Sequence, residues 1–304
     1  MTDAGSRAGL AAERAASLWA DLALLGVAAI WGFTFSAVQR ALQAAAPMSF
    51  LAARFALAAV VLAAFFPRRA FRATWRTLAV AALLGLWLTA GYALQTVGLI
   101  YTTASRSAFI TGLSVVLVPL LALSLSRVRP RAGSLVAAGL AVGGLYLLTD
   151  PRAAGINVGD LLTLGCAGAF ALHIVTTERV APHSDPVPLA FWQIATTAAM
   201  SAALMGVIET PRLTLTAWTL GALAVTGVLA TAVAFATQMW AQRETSATHV
   251  AVIFAAEPVF AAIFAHFVQR DRLGVAGVVG GALIVAGIVL AQVGAAQTAR
   301  ESAE

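Results

Sequence analysis

TSATHVAVIFAAEPVFAAIFAHFVQ, residues 245–269, decides the fold. It is long and apolar enough for one helical crossing, which takes about 20 residues for a hydrocarbon core of roughly 30 Å. Glu257 and Pro258 stand near its middle. A carboxylate at that depth is expensive in lipid, so it should face protein or a water-filled cavity. Pro258 has no N–H and deprives the Phe254 carbonyl of its helical partner. An acid beside a freed carbonyl is a polar spot in an apolar tube, and the remaining helices are read as a wall around it.

The composition agrees. Hydrophobic residues make up 61% of the 304-residue chain and charged residues 11%, against about 25% charged in a soluble domain. Ten apolar segments follow one another, at 18–39, 48–66, 77–99, 103–125, 133–149, 158–180, 187–208, 214–240, 246–268 and 273–294. The breaks are short and punctuated by Pro47, Pro67, Pro130, Pro151, Pro182, Pro211 and Arg270–Asp271–Arg272. None could hold an extramembrane domain. All 19 basic residues are arginine and cluster at the ends of apolar runs, a membrane topology signal rather than a nucleic-acid surface. With a cytoplasmic N-terminus, the inside arginines are 7, 14, 68, 69, 72, 76, 127, 129, 131, 179, 243 and 300; those outside are 40, 152, 212, 270 and 272. Both termini are therefore expected inside, in the cytoplasmic membrane of a prokaryote, with 1–17 and 295–304 as solvated tails. The lone Cys166 permits no intrachain disulfide.

The chain also repeats itself. A shift of 139 residues brings Gly26 onto Gly165, Arg40 onto Arg179, Pro47 onto Pro186 and Pro119 onto Pro258. This divides the chain into five-helix units at 18–149 and 158–294. Five is odd, so the second unit must enter the membrane in the opposite sense. Inverted repeats of this kind place a transporter's binding site near mid-membrane, where the halves meet. The expected fold is an all-α integral membrane protein of ten transmembrane helices, arranged 5+5.

LLGVAAIWGFTF at 24–35, the arginine of FLAARFALAA, AFITGLSVVLVPLLA and AAEPVFAAIFA together resemble the EamA-type branch of the drug/metabolite transporter superfamily. The resemblance spans about residues 20–294. It implies ten helices in inverted repeats, cytoplasmic termini and export or exchange of small metabolites, with aromatic amino acid exporters among the family's members. The family's second copy often carries a further acid after its Glu-Pro helix. Here HFVQRDRLG offers only Asp271 nearby.

Glu257 is the sharpest functional candidate, as a site for a substrate amine or a proton; the alternative is a structural acid paired where the helix breaks. Pro119 and Pro258 are expected to kink their helices as gating or packing features, freeing the carbonyls of Val115 and Phe254. His249 lies eight residues before Glu257, about 80° round an ideal helix, and is placed on the same cavity face. His173 is a candidate relay or hydrogen-bond donor, with a local bond to a backbone carbonyl as the alternative. His266 reads as interfacial. Trp31, Tyr92, Gln95, Phe170 and Gln238 interrupt plain apolar helices and are assigned to an aromatic cavity suited to an amphipathic substrate. Trp75, Tyr101, Trp218 and Trp240, at segment ends, read as the interfacial belt. Arg54, about 10 Å from its helix end, is expected to snorkel or pair structurally, with attraction of a carboxylate-bearing substrate as the alternative, and Arg106 is read likewise. Gly139 with Gly143, and Gly277 with Gly281, have the spacing that lets helices close up.

There is no lysine for a phosphate loop, no metal-ligand cluster and no nucleophile with a spaced base. The expectation is a secondary transporter without cofactor or metal, exporting amino acids, aromatic ones included, or related metabolites. The alternatives are an exporter of cationic amphipathic drugs, an intramembrane enzyme using His173, His249 and Glu257, and a sensory or structural protein. The expected partners are a small-molecule substrate and the lipid bilayer, with no nucleic acid. Proton coupling stays open, as does a monomer against a weak homodimer.

Overall fold

The computed structural model describes residues 2–126, 132–149, 156–243, 245–269 and 274–301. In chain order the helices are α1 (Thr2–Ala41), α2 (Pro47–Phe65), α3 (Trp75–Gly98), α4 (Ala104–Gly112), α5 (Ser114–Ser126), α6 (Ala132–Thr149), α7 (Val158–Val180), α8 (Pro186–Ile208), α9 (Ala217–Ala224), α10 (Ala234–Ala241), α11 (Ala247–Phe254), α12 (Glu257–Gln269) and α13 (Val275–Glu301). A π-helical stretch, Val225–Val233, joins α9 to α10. Eight apolar helical stretches are long enough to cross a membrane: Leu18–Ala41, Pro47–Phe65, Trp75–Gly98, Arg106–Ser124, Val158–His183, Pro186–Ile208, Ala217–Ala241 and Ala247–Phe264. α6 and α13 hold shorter apolar stretches, Leu135–Leu147 and Val275–Leu290. Val60, Leu161 and Val278 stand exposed along these helices. In a bilayer such residues meet lipid rather than water, so the protein is an integral, multi-pass membrane protein.

Local sequence sets the helix starts. Thr74, Thr103, Thr216 and Ser246 each accept the N–H three residues on, and Asn157 forms a full capping box with Asp160. Pro47 and Pro186, matched by the internal repeat, both occupy the first position of a helix, where a missing N–H costs nothing. At the chain ends the stretches read as tails are helical. α1 begins at Thr2 and α13 runs to Glu301, in keeping with the high helix propensity of alanine-rich sequence.

The hydrogen bonds define two ends of the bundle. At one end the connections after α1 and α8 pair as a short antiparallel bridge, with Ala46 N–H donating to the Arg212 carbonyl (2.7 Å) and Thr214 N–H to that of Ala44 (2.9 Å). The start of α7 is there too, since Asp160 accepts from Thr102 Oγ1 (2.8 Å) and pairs with Arg106. The expected structural pairing of Arg106 is thus found. At the other end Arg69, after α2, pairs with Asp185, before α8 (2.9 Å), and Ala247 N–H donates to Glu178 Oε1 (2.9 Å). The membrane-crossing part of α1 therefore starts at the end opposite to the start of α7.

α2 packs on α8 and α6 on α13. Gly144 and Gly287 let the second pair close: a Cβ at Gly144 would lie 2.4 Å from the Gly280 carbonyl oxygen, and one at Gly287 2.7 Å from that of Ala137. The small-residue contact thus falls elsewhere than expected. Gly139 and Gly143 have nothing within 4 Å of a would-be Cβ, and Gly281 has only Val259 at 3.8 Å. They lie on neighbouring faces of the helix, because a 3.6-residue period turns each position by about 100°.

The prolines act differently from one another. The helix through 245–269 is broken at Ala255–Ala256, so Pro258 sits in the first turn of α12 rather than mid-helix. In the first half the break falls at Leu113, a turn and a half before Pro119, which lies inside α5. Gly112 marks that break, and a Cβ there would meet Leu145 at 2.8 Å and Pro258 at 3.6 Å. The two breaks therefore face each other. His266 and Asp271 fall outside the residues whose side chains are described.

Two carboxylates cap the α2–α8 pair from opposite ends. Glu209 accepts from Met48 N–H (2.9 Å), Ser49 N–H (2.8 Å) and Ser49 Oγ (2.7 Å). Asp185 caps its own α8 through Val187 N–H (3.1 Å). Glu209→Ala should lower stability in detergent by about 1–2 kcal/mol, read as an earlier thermal midpoint; an unchanged midpoint contradicts the cap. Partial burial pushes the Asp185 carboxyl up, but the bonds from Arg69 and Val187 and the charges of Arg69 and Arg243 outweigh it and hold it below the usual carboxylate range. A depressed group stabilises above its ordinary value, about 3.9, and that stabilisation fades as pH falls through the lowered value. Asp185→Asn should therefore cost stability at neutral pH and progressively less in strong acid.

Candidate functional site

A cavity lies between the two halves of the chain, with about 760 Å³ of empty space when the solvent at its mouth is counted. Its wall takes residues from α1 to α4, the start of α5, α7, α10, α11 and the first residue of α12. Seven side chains expected in a cavity line it: Trp31, Tyr92, Gln95, Phe170, His173, Gln238 and Glu257. His249 does not. It is buried and bonded through Nε2 to Asp21 Oδ1 (3.0 Å), beyond the cavity floor. The break at Ala255–Ala256 removes the continuous helix on which its 80° offset from Glu257 was reckoned.

An aromatic box forms the centre. Trp31 meets Phe254 (4.9 Å between centroids) and Phe235 (5.6 Å), while Tyr92 meets Phe170 (5.1 Å), Phe55 (5.1 Å) and Phe235 (6.3 Å). Trp31 packs against two separate apolar cores, one through α1, α5, α7 and α11, the other through α2, α3, α8 and α10. It therefore sits on the seam between them. Phe235 and Phe254 escaped the sequence reading. The available signal was position, since each lies three residues before a singled-out polar residue, Gln238 or Glu257; for Phe235 this puts both on one face of α10.

The π-helical stretch shapes the other wall. Ala234 N–H reaches back to Leu229 rather than to Ala230. The Ala230 carbonyl instead accepts from Trp31 Nε1 (2.8 Å) and Arg54 Nη2 (3.4 Å). A wide turn of this kind turns backbone acceptors toward a site. The expected snorkelling of Arg54 is overturned. Arg54 is 2% exposed and lines the cavity, bonded through Nε to Thr231 Oγ1 (2.8 Å) and through Nη2 to the Tyr92 hydroxyl (3.4 Å). Its guanidinium carbon lies 4.6 Å from the Tyr92 ring centroid. These neutral partners hold it inward, where snorkelling would have carried it to the membrane surface.

Glu257 is half-buried, on the cavity wall and in the first turn of α12, where the helix dipole favours a carboxylate. Among the described residues no donor bonds its carboxylate. His173 is buried and bonds through Nε2 to Gln193 Oε1 (2.8 Å) on α8, a side-chain partner in place of the backbone carbonyl considered for it. Gln95 Nε2 donates to Thr111 Oγ1 (3.3 Å), and Gln238 Nε2 to Gln242 Oε1 (2.7 Å).

The cavity extends toward both ends of the bundle. Toward the end carrying the Ala45–Leu213 bridge its lining reaches Val38, Thr96 and Leu99, within about a turn of the helix ends. Toward the other end it reaches Ile174 and Gln238, the latter about a turn from the end of α10. There Asp21–His249 joins the halves, while Gln242 Nε2 donating to the Ile174 carbonyl (3.1 Å) and Glu178 holding Ala247 N–H tie α7 to the segments around α10 and α11 within the second half. Trp75, Tyr101, Trp218 and Trp240 are all exposed at helix ends, as an interfacial belt requires.

A membrane-embedded helical bundle with one polar, aromatic-walled chamber between its halves has the form of a small-molecule transporter. The chain belongs to the EamA-like transporter family, whose model matches it twice, at residues 18–150 and 157–292. It is similar to an uncharacterised transporter of Archaeoglobus fulgidus, 34% identical over 283 residues, covering 92% of this chain and 87% of the relative. A second uncharacterised transporter of that organism is 27% identical over 273 residues, covering 86% of this chain and 93% of its own. A solved structure, titled only as a crystal structure of a protein, shares the fold with a TM-score of 0.75 at 20% identity, covering 92% of this chain and 96% of that one.

α1 crosses α12 closely enough that a Cβ at Gly32 would lie 2.5 Å from the Glu257 carbonyl oxygen and 2.8 Å from Ala261 N. Both are backbone atoms and cannot swing aside. Gly32→Ala should therefore cost about 1–3 kcal/mol of stability in detergent, read as an earlier thermal midpoint. A variant as stable as the parent contradicts this close crossing.

Proposed function

We propose that the protein is a secondary transporter that exports amino acids, aromatic ones among them, from the cytoplasm by alternating access. In this reading its ten helical segments form two oppositely inserted five-helix units, both termini are cytoplasmic, and the cavity is the substrate chamber. The start of α1 at one end and of α7 at the other supports the inversion. The arginine bias makes the end with Arg69 and Arg179 the cytoplasmic one. Export then requires the contact between His249 and Asp21 to part at the cytoplasmic end while the opposite end closes, and the reverse on return.

The observation that carries the reading is Glu257. It is an unpartnered carboxylate on a wall shared with Trp31, Tyr92, Phe170, Phe235 and Phe254. A buried charge without a protein partner is costly, and a substrate ammonium would offset that cost while its side chain lies among the rings. Cation–π attraction adds to the same preference. Cationic amphipathic drugs fit these features as well and are the second reading.

Reconstituted protein should mediate counterflow of labelled L-phenylalanine in liposomes. Glu257→Gln should reduce it about tenfold or more, and Trp31→Ala should weaken competition by aromatic amino acids more than by aliphatic ones. Full counterflow by Glu257→Gln would remove the acid from the binding role.

A further inference from the structure

The cavity holds a second charge. Arg54 lies inside it, 2% exposed, and its three hydrogen bonds go to the Thr231 hydroxyl, the Tyr92 hydroxyl and the Ala230 carbonyl, all neutral. Among the described residues no carboxylate lies within ion-pairing distance of it, and its Nη1 amino group has no hydrogen-bond partner. A guanidinium carries five N–H donors and keeps its charge. Burying such a group against neutral acceptors alone is unfavourable unless an anion completes the shell.

The partners are arranged to aim the group. Thr231 donates its own hydroxyl proton to the Thr226 carbonyl (2.7 Å), which leaves its oxygen to accept from Arg54 Nε. That bond spans five residues and follows from the π-helical turn. The Tyr92 ring, fixed by Phe55 and Phe170, flanks the guanidinium, and its hydroxyl accepts from Nη2, so the phenolic proton remains to donate. Nη1 and that phenolic proton together suit a carboxylate, which takes paired donors from a guanidinium fork.

We propose that Arg54, with Tyr92 beside it, is the carboxylate anchor of the transport site, and that it makes the substrate a zwitterion rather than a cation. The inference rests on the transport reading above and deepens it. Glu257 selects for an ammonium group; Arg54 rejects molecules that bring only that group, because it is then left buried and unpaired. A site built to pair a substrate group discriminates strongly against the analogue lacking it. The same pole argues against cationic drugs as substrates, since their charge would be repelled by Arg54.

The test is competition in the counterflow assay with matched pairs: L-phenylalanine and phenethylamine, L-tryptophan and tryptamine, L-leucine and isoamylamine. In the wild-type protein each amino acid should compete at least tenfold better than its decarboxylated amine. Arg54→Gln should bring that ratio close to one, with Arg54→Lys between the two. The wild-type comparison needs no variant and stands even if Arg54→Gln does not fold. Amines competing as well as amino acids would overturn the anchor and leave the transporter standing as a carrier of cations. An unchanged ratio in Arg54→Gln would also overturn it. If no pair member moves or competes, the amino acid reading and the anchor fall together.

Discussion

The structure depends on a single constraint: two opposite charges, Glu257 and Arg54, sit inside an apolar bundle without an ionic partner of their own among the described residues. Each would be costly in a dry interior. What makes them tolerable is the chamber they line, together with local devices that hold them in place. For Glu257 the device is the broken helix, which gives the acid a helix start to sit on. For Arg54 it is the π-helical turn, which turns Thr231 and Ala230 toward it. Both devices interrupt regular helix at mid-bundle, where non-helical backbone is tolerated because it lines a cavity.

Around that chamber the halves are bound at both ends by short polar contacts and along their length by helix pairing. α2 against α8 and α6 against α13 join matching helices of the two family repeats. The end contacts are few and specific: Glu209 on the start of α2, Asp185 with Arg69, Asp160 with Arg106, Asp21 with His249. Contacts of this type, each worth a kcal/mol or so, can be exchanged during a rocking motion, whereas the closely packed α6–α13 crossing at Gly144 and Gly287 cannot open without losing its contacts. On the proposed cycle that crossing is a hinge and the polar end contacts are latches.

Much of this was legible in the sequence because the bilayer restricts the options. Long apolar runs with short breaks admit few architectures, so the helices, the repeat and the special place of Glu257 followed from pattern alone. Trp31, Tyr92 and Phe170 could be placed because an amphipathic or aromatic residue in a plain helix has few reasons to be there. The errors share one cause, that facing direction depends on backbone irregularities that spacing does not reveal. His249 was assigned to the cavity by counting along an unbroken helix that in fact breaks at Ala255–Ala256. Snorkelling was weighed for Arg54, beside structural pairing and a substrate carboxylate, because nothing in VTGVLATAV announces a π-helical turn ready to receive it. The glycine contact was assigned to Gly139 and Gly143, where Gly144, one residue on, is the one that faces α13.

The central claim is that the chamber is a wet substrate site reached from one membrane face at a time. Thiol labelling tests it most directly. Ser114 lines the cavity, and Ser114→Cys, in a protein whose Cys166 is replaced by serine, presents one reporter thiol. It should react with a membrane-impermeant maleimide applied from outside, and saturating L-phenylalanine should slow the reaction severalfold. A thiol that is inert from both faces, or one whose rate no amino acid changes, would contradict the account.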